Sequence, residues 1–170
     1  MKKLCLLLFF IIISLEINLT SCTNEPAPLV KSFTANVTGT CNGEKLKARI
    51  ISNNQKFLLI EILSPSSMKG YKYTYKDSTL SIKYKTFNVK AQTNYIPNTG
   101  FSSIMYNVLS SLSKEQNCRC TGSDKAFAYY KGKCESGEYD IKAEYNSGAI
   151  REINIKSIDF TAKLDKIKIK

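Results

Sequence analysis

From Ser32 onward the apolar residues fall on alternate positions, a period of two that commits the chain to β-strands with one buried face each. Phe33, Ala35, Val37 and Cys41 alternate with Ser32, Thr34, Asn36, Thr38 and Thr40. Asn42-Gly43 supplies the two positive-φ positions of a tight hairpin, and Leu46, Ala48 and Ile50 answer on the returning strand. Residues 57–63 are apolar on both faces apart from Glu61, which predicts a central strand covered from both sides. After a break at 64–70, Tyr71, Tyr73 and Tyr75 alternate with Lys72, Thr74 and Lys76. Lys76-Asp77-Ser78 turns the chain, and Leu80, Ile82 and Tyr84 continue the alternation.

One stretch alone has a helical period. Phe101, Ile104, Met105, Val108, Leu109 and Leu112 recur at spacings of three and four, with Asn98 or Thr99 as the expected cap. A polar, cysteine-bearing loop is expected over 114–125 and a strand over 126–134. Tyr139, Ile141, Ala143 and Tyr145 then alternate with Glu138, Asp140, Lys142 and Glu144, and Asn146-Ser147-Gly148 closes a hairpin. Ile153 and Ile155 lie on odd positions, whereas Ile158, Phe160, Ala162 and Leu164 lie on even ones. One extra residue near Ser157, in a bulge or a short connection, accounts for the slip. Asp165-Lys166 leads to a last short strand with Ile167 and Ile169. That gives eight or nine strands and one helix. A single antiparallel sheet of this size must curl, split or close, and the helix is too short to cover a flat one. The expected fold class is mainly β (α+β): a curved antiparallel sheet forming an unclosed half-barrel, with the amphipathic helix on its concave side.

The first residues speak to compartment. Lys2 and Lys3 precede an apolar run over 4–15 broken only by Ser14, the n-region and h-region of a signal peptide. Glu16 and Asn18 end the run well short of the roughly 20 residues of a membrane span. Leu19-Thr20-Ser21-Cys22 resembles the lipobox of bacterial lipoproteins, which implies a diacylglyceryl group on the Cys22 thiol and cleavage just before it. Two acyl chains suffice to hold a protein on a bilayer where one is marginal. The domains expected are a signal peptide over 1–21, a lipidated N-terminus and tether over 22–30, and a β domain over 31–170. Cleavage removes Lys2, Lys3 and Glu16, lowering the formal charge from +11 to +10.

Composition narrows the chemistry. Histidine is absent from all 170 residues, which removes Ser-His-Asp and Cys-His nucleophile pairs, imidazole metal sites and the usual neutral-pH base. Ser123-Asp124-Lys125 holds nucleophile, acid and base types in a loop that needs polar residues anyway, so no enzyme and no catalytic residue is expected. Glu61 is a candidate buried or paired carboxylate. No cofactor and no metal is expected, because Cys118-x-Cys120 lacks a matching second ligand pair. Outside the cell, Cys41, Cys118, Cys120 and Cys134 are candidates for disulfides, and the one-residue spacing disfavours a bridge between Cys118 and Cys120. If two bridges form, each of that pair takes Cys41 or Cys134. The lysines alternate along strands, with Lys72, Lys76, Lys83 and Lys85 on one face and Lys163, Lys166, Lys168 and Lys170 in the tail. This is a solvated sheet face that favours anionic surfaces, and not a nucleic-acid patch.

Several elements together carry a family resemblance. They are the F-x-A-x-V first strand, the aliphatic strand ending in Ser64-Pro65, Met68-Lys69-Gly70 leading into Tyr71-Lys72-Tyr73, the single mid-chain helix, and a G-x-C-x-x-G-x-Y return from Gly132 to Tyr139. In these the chain resembles small bacterial lipoproteins with a LolA-like fold, which include lipoprotein carriers and a spore-germination lipoprotein. The chain departs from the carriers in lacking a helix before the first strand. The resemblance implies an unclosed β-barrel capped by helix. Phe33, Val37, Ile50, Leu58, Ile60, Tyr71, Tyr73, Phe101, Met105 and Leu109 are the candidate lining of an apolar ligand cavity, with Met68 and Met105 as adaptable surfaces. The function expected is a non-enzymatic envelope protein-binding module. It would be anchored by lipid to the outer face of the cytoplasmic membrane, with an envelope protein as partner. The alternative is a carrier or sensor of lipid or lipoprotein acyl chains.

Overall fold

A computed structural model describes residues 25–54, 56–113 and 117–169. Eleven strands run in the order β1 (Phe33–Cys41), β2 (Glu44–Asn53), β3 (Phe57–Ser64), β4 (Lys72–Lys76), β5 (Thr79–Tyr84), β6 (Phe87–Gln92), β7 (Cys118–Ser123), β8 (Phe127–Cys134), β9 (Gly137–Glu144), β10 (Ile150–Ile155) and β11 (Phe160–Ile169). The helix α1 (Phe101–Ser111) lies between β6 and β7. All strands form one antiparallel sheet ordered β6-β5-β4-β3-β2-β1-β11-β10-β9-β8-β7, with β6 and β7 as open edges. The architecture is mostly β, an unclosed half-barrel with one helix inside its curve.

The curl follows from reach. Tyr75 of β4 stacks on Tyr106 of α1 with ring centroids 4.3 Å apart, and its hydroxyl lies 3.2 Å from Ser102 Oγ. At the other end of α1, Ser111 Oγ lies 2.8 Å from the Tyr139 hydroxyl on β9. β4 and β9 are separated by six strand spacings, about 29 Å across a flat sheet, whereas a helix with its side chains is about 10–12 Å wide. Both arms touch one helix only if the sheet bends round it. Four register shifts help it bend, in the pairings of β1 with β11, β2 with β3, β9 with β10, and β7 with β8. At the floor of the curve, Gly39 lets Phe101 approach β1. A Cβ there would lie 2.7 Å from the Phe101 ring and 2.9 Å from Thr161 O.

Alternation assigns the faces as expected. Phe33, Ala35, Val37, Leu46, Ala48, Ile50, Ile60, Ile141, Ile153, Phe160 and Ala162 are buried on the concave side with Ile104, Met105 and Val108 of the helix. The hairpin at Asn42-Gly43 has the positive φ values that its sequence predicts, 51° and 80°. Other details differ from expectation. β3 is covered on one side only: Leu58, Ile60 and Ile62 are buried, while Phe57 and Leu59 are half-buried and Leu63 is exposed, so the far face meets water. The helix cap is Gly100 and not Asn98 or Thr99; the Asn98 side chain instead bonds Asn107 and Glu135. The loop expected over 114–125 contains β7, and β6 is a further strand exposed along its whole length. The slip near Ser157 is a 3-10 turn over Lys156–Ile158 with Asp159 left-handed. The last short strand is instead the end of β11, bulged at Lys166.

Burial beneath the helix holds the Tyr75 phenol neutral and pushes its pKa up to about 12, against an ordinary value of 10.0. The unfolded chain therefore loses this proton first as pH rises, and the native state loses stability between about pH 10 and pH 12. Denaturation midpoints measured at pH 9 and pH 11 should fall with pH, and Tyr75→Phe should flatten part of that fall.

Candidate functional site

Where the N-terminus of α1 meets β2–β5, the concave layer is incompletely filled. A cleft of about 320 Å³ opens there, walled by Leu46, Ile62, Leu80 and Ile82 from the sheet and by Phe101 from the helix. Met68, in the loop after the cis Ser64–Pro65 peptide, Tyr73 and Ile96-Pro97, in the approach to the helix, add to the apolar wall, and Thr99, Gly100, Ser102 and Ser103 at the helix start complete it. Local sequence makes this opening. Pro97, Asn98, Thr99 and Gly100 delay the start of the helix to Phe101, and the cleft lies beside its first turn. The volume lies at the lower end of the 300–1,000 Å³ usual for small-molecule sites.

An aromatic row continues from the lining residue Tyr73. Tyr71 stacks on Tyr84 with centroids 4.3 Å apart and planes 5° from parallel, and lies 6.4 Å from Tyr73. Burial, with a smaller contribution from Tyr71, raises the Tyr73 pKa, so its phenol stays neutral at physiological pH. Among the described residues, no charged side chain lines this cleft. Two larger recesses are polar-walled. One, of about 800 Å³, lies between the two arms of the sheet over the polar side of α1 at Tyr106, Asn107 and Ser110. The other, of about 710 Å³, lies by Cys118, Lys131, Tyr139 and Asp140. In both, polar wall surface exceeds apolar wall surface, whereas the cleft is walled mainly by apolar surface.

Of the ten candidate lining residues, Tyr73 and Phe101 line the cleft, and Tyr71 stacks beside Tyr73 outside that lining. Phe33, Val37, Ile50, Leu58, Ile60, Met105 and Leu109 are packed into the core, each 6% exposed or less. Alternation reports which face of the sheet a residue is on, and not whether the helix reaches over it. Leu46, Ile62, Leu80, Ile82, Ile96 and Pro97 were therefore not legible as lining. Met68 is at the cleft, whereas Met105 is fully buried.

The remaining sequence candidates have structural partners. Glu61 pairs with Lys72 at 3.3 Å. Asp124 accepts from the backbone N–H groups of Ala126 and Phe127 at 2.8 and 2.7 Å and from the Tyr129 hydroxyl at 2.8 Å. These bonds hold its carboxyl below the ordinary value and make Ser123-Asp124-Lys125 a turn. Cys22 lies outside the described residues. Cys41, Cys118, Cys120 and Cys134 are all unbridged thiols. Cys41 is buried at the β1–β2 hairpin against Thr99, and Cys118 and Cys134 flank Tyr139. Burial raises the pKa values of Cys41, Cys118 and Cys134. Gly132 gives the Tyr139 phenol room, since a Cβ there would collide with the phenol and with Asn117 O.

No family model and no curated protein matches the sequence. Its fold is shared with solved structures. An uncharacterized conserved protein from Thermus thermophilus superposes with a TM-score of 0.56 at 13% identity, over 82% of this chain and 80% of that one. A LolA superfamily protein from Nitrosomonas europaea superposes with a TM-score of 0.45 at 9% identity, over 82% and 86%, a fit too loose to assign a family. At these identities the likeness is one of fold alone.

The thiols give a direct check on the geometry. At neutral pH a maleimide should label exposed Cys120 at least tenfold faster than buried Cys41, with Cys118 and Cys134 between them, read by mass spectrometry of tryptic peptides.

Proposed function

We propose that this chain is a lipid-anchored, non-enzymatic envelope protein of LolA-like type whose cleft binds an apolar ligand of acyl-chain character. The observation that carries this reading is the composition of the cleft: aliphatic side chains, Met68, Phe101 and Tyr73 make most of its wall, Thr99, Ser102 and Ser103 the rest, with no charge among the described lining residues. Such a site binds by removing hydrocarbon from water, at roughly 0.8 kcal/mol per methylene, and leaves a polar headgroup at the rim. Tyr73, Thr99, Ser102 and Ser103 supply hydroxyls in the lining, and Met68 adapts to an irregular chain.

Anchoring at Cys22 fits the path of the residues that follow. Ala27 N–H donates to Tyr145 O and Val30 N–H to Gly148 O, each at 2.9 Å, so the segment is pinned on the β9–β10 hairpin from Ala27 onward. The tether expected over 22–30 is thereby shortened. Four residues lie between Cys22 and Ala27, five chain steps that reach about 18 Å at most. In this reading the pole carrying the β9–β10 hairpin faces the membrane, and the cleft, at the pole of the β1–β2 hairpin, faces away.

Binding of another envelope protein is the second reading, favoured by the uncovered edge strand β6.

The sequence contains no tryptophan, so Met68→Trp creates a single reporter in the cleft. Its fluorescence should shift to the blue on titration with palmitate, and the further change Ile82→Glu should weaken binding at least tenfold. A spectrum unmoved by palmitate, with native mass spectrometry finding no lipid retained from an envelope extract, would overturn the acyl-chain reading. Cys22→Ala should move the protein from the membrane fraction to the soluble one, and a variant still sedimenting with membranes would contradict the anchor.

A further inference from the structure

The two open edges of the sheet are not equivalent. β7 is broken by a register shift between Cys120 and Gly122 and carries Arg119, features that blunt an edge against pairing. β6 pairs with β5 without interruption from Tyr84↔Phe87 to Thr79↔Gln92, and all six of its residues are exposed. It is a straight template.

Its backbone phase can be read. Thr93 N–H donates to Ser78 O at 2.9 Å, one step beyond the Thr79↔Gln92 pair. Bonded and non-bonded pairs alternate along an antiparallel ladder, so the odd residues Phe87, Val89 and Ala91 bond to β5. The N–H and C=O groups of Asn88, Lys90 and Gln92 therefore point outward, where the described residues supply no further strand. Phe87 and Val89, 55% and 42% exposed, continue the concave apolar row across from Tyr84 and Ile82.

Charge selects the occupant. Residues 31–113 carry eleven Lys and Arg against three Asp and Glu, whereas residues 117–169 carry ten against eight. Two of those three carboxylates, Glu61 and Asp77, already face Lys72 and Lys76. Lys83, Lys85 and Lys90 surround β6, so a second copy of this chain, bringing the same lysines edge to edge, is repelled.

We propose that β6 is a strand-addition site for an extended protein segment alternating apolar and acidic residues. Its apolar side chains lie along Phe87, Val89 and Ala91, and its carboxylates along Lys83 and Lys90, the mode in which main-chain bonds bind and alternate side chains select. This deepens the protein-binding reading and rests on it.

The test is hydrogen exchange of the detergent-solubilised full chain with an acetylated hexapeptide alternating glutamate and valine. The amides of Asn88, Lys90 and Gln92 should slow at least fivefold, and a peptide alternating lysine and valine should leave them unchanged. Lys90→Pro removes one outward N–H from an edge position that tolerates proline, and should abolish the protection. Should that substitution detach β6, seen as lost protection at Ile82 and Val89 without peptide, Lys90→Glu decides. It should weaken the acidic peptide threefold or more and favour the lysine one. Equal protection by both peptides, or β6 protected by concentration-dependent dimerisation alone, would overturn the proposal. Protection on β7 instead would remove this assignment and leave protein binding standing, whereas protection on no strand would remove both.

Discussion

The fold depends on one short helix being shared by two distant arms of a sheet. Tyr75–Tyr106 on one side and Ser111–Tyr139 on the other tie α1 to strands that a flat sheet would hold well apart. The bend that brings them together also makes the concave core, because Phe160, Ile50 and Ile60 then face Phe101, Ile104 and Met105 with little room for water. Buried phenols at Tyr75 and Tyr139 keep their partners, Ser102 and Ser111, and are held neutral by their burial.

An eleven-residue helix cannot fill the whole curve, and both functional proposals arise from what it leaves over. At its N-terminus the unfilled part is the apolar cleft against β2–β5. Beyond the helix, β6 overhangs with neither face covered. The two regions are joined through Ile82, which lines the cleft and sits across from Val89 in the ladder. A ligand in the cleft and a strand on the edge would therefore share a wall, which gives a carrier a physical means of linking its load to its partner.

Much of this architecture is written in the alternation of the sequence, and the exceptions have physical causes. Burial makes a pattern strict, so β1, β9 and α1, which build the core, were legible residue by residue. Phe87–Gln92 and Cys118–Ser123 are edges exposed to water, so no selection for burial sharpens them. Asn98 looks like a cap, but tertiary bonds to Asn107 and Glu135 take its side chain elsewhere. The cleft was read only in part, through Tyr73, Phe101 and Met68. A cavity is a shortfall in three-dimensional packing, and no period along the chain records it.

Paramagnetic mapping with stearate spin-labelled near its methyl end tests the central claim, an acyl chain in the cleft, most directly. The account predicts strong broadening confined to the methyl signals of Ile62, Leu80, Ile82 and Ile96. Broadening centred on Ile141 and Ile153, or spread evenly over the surface, would contradict it.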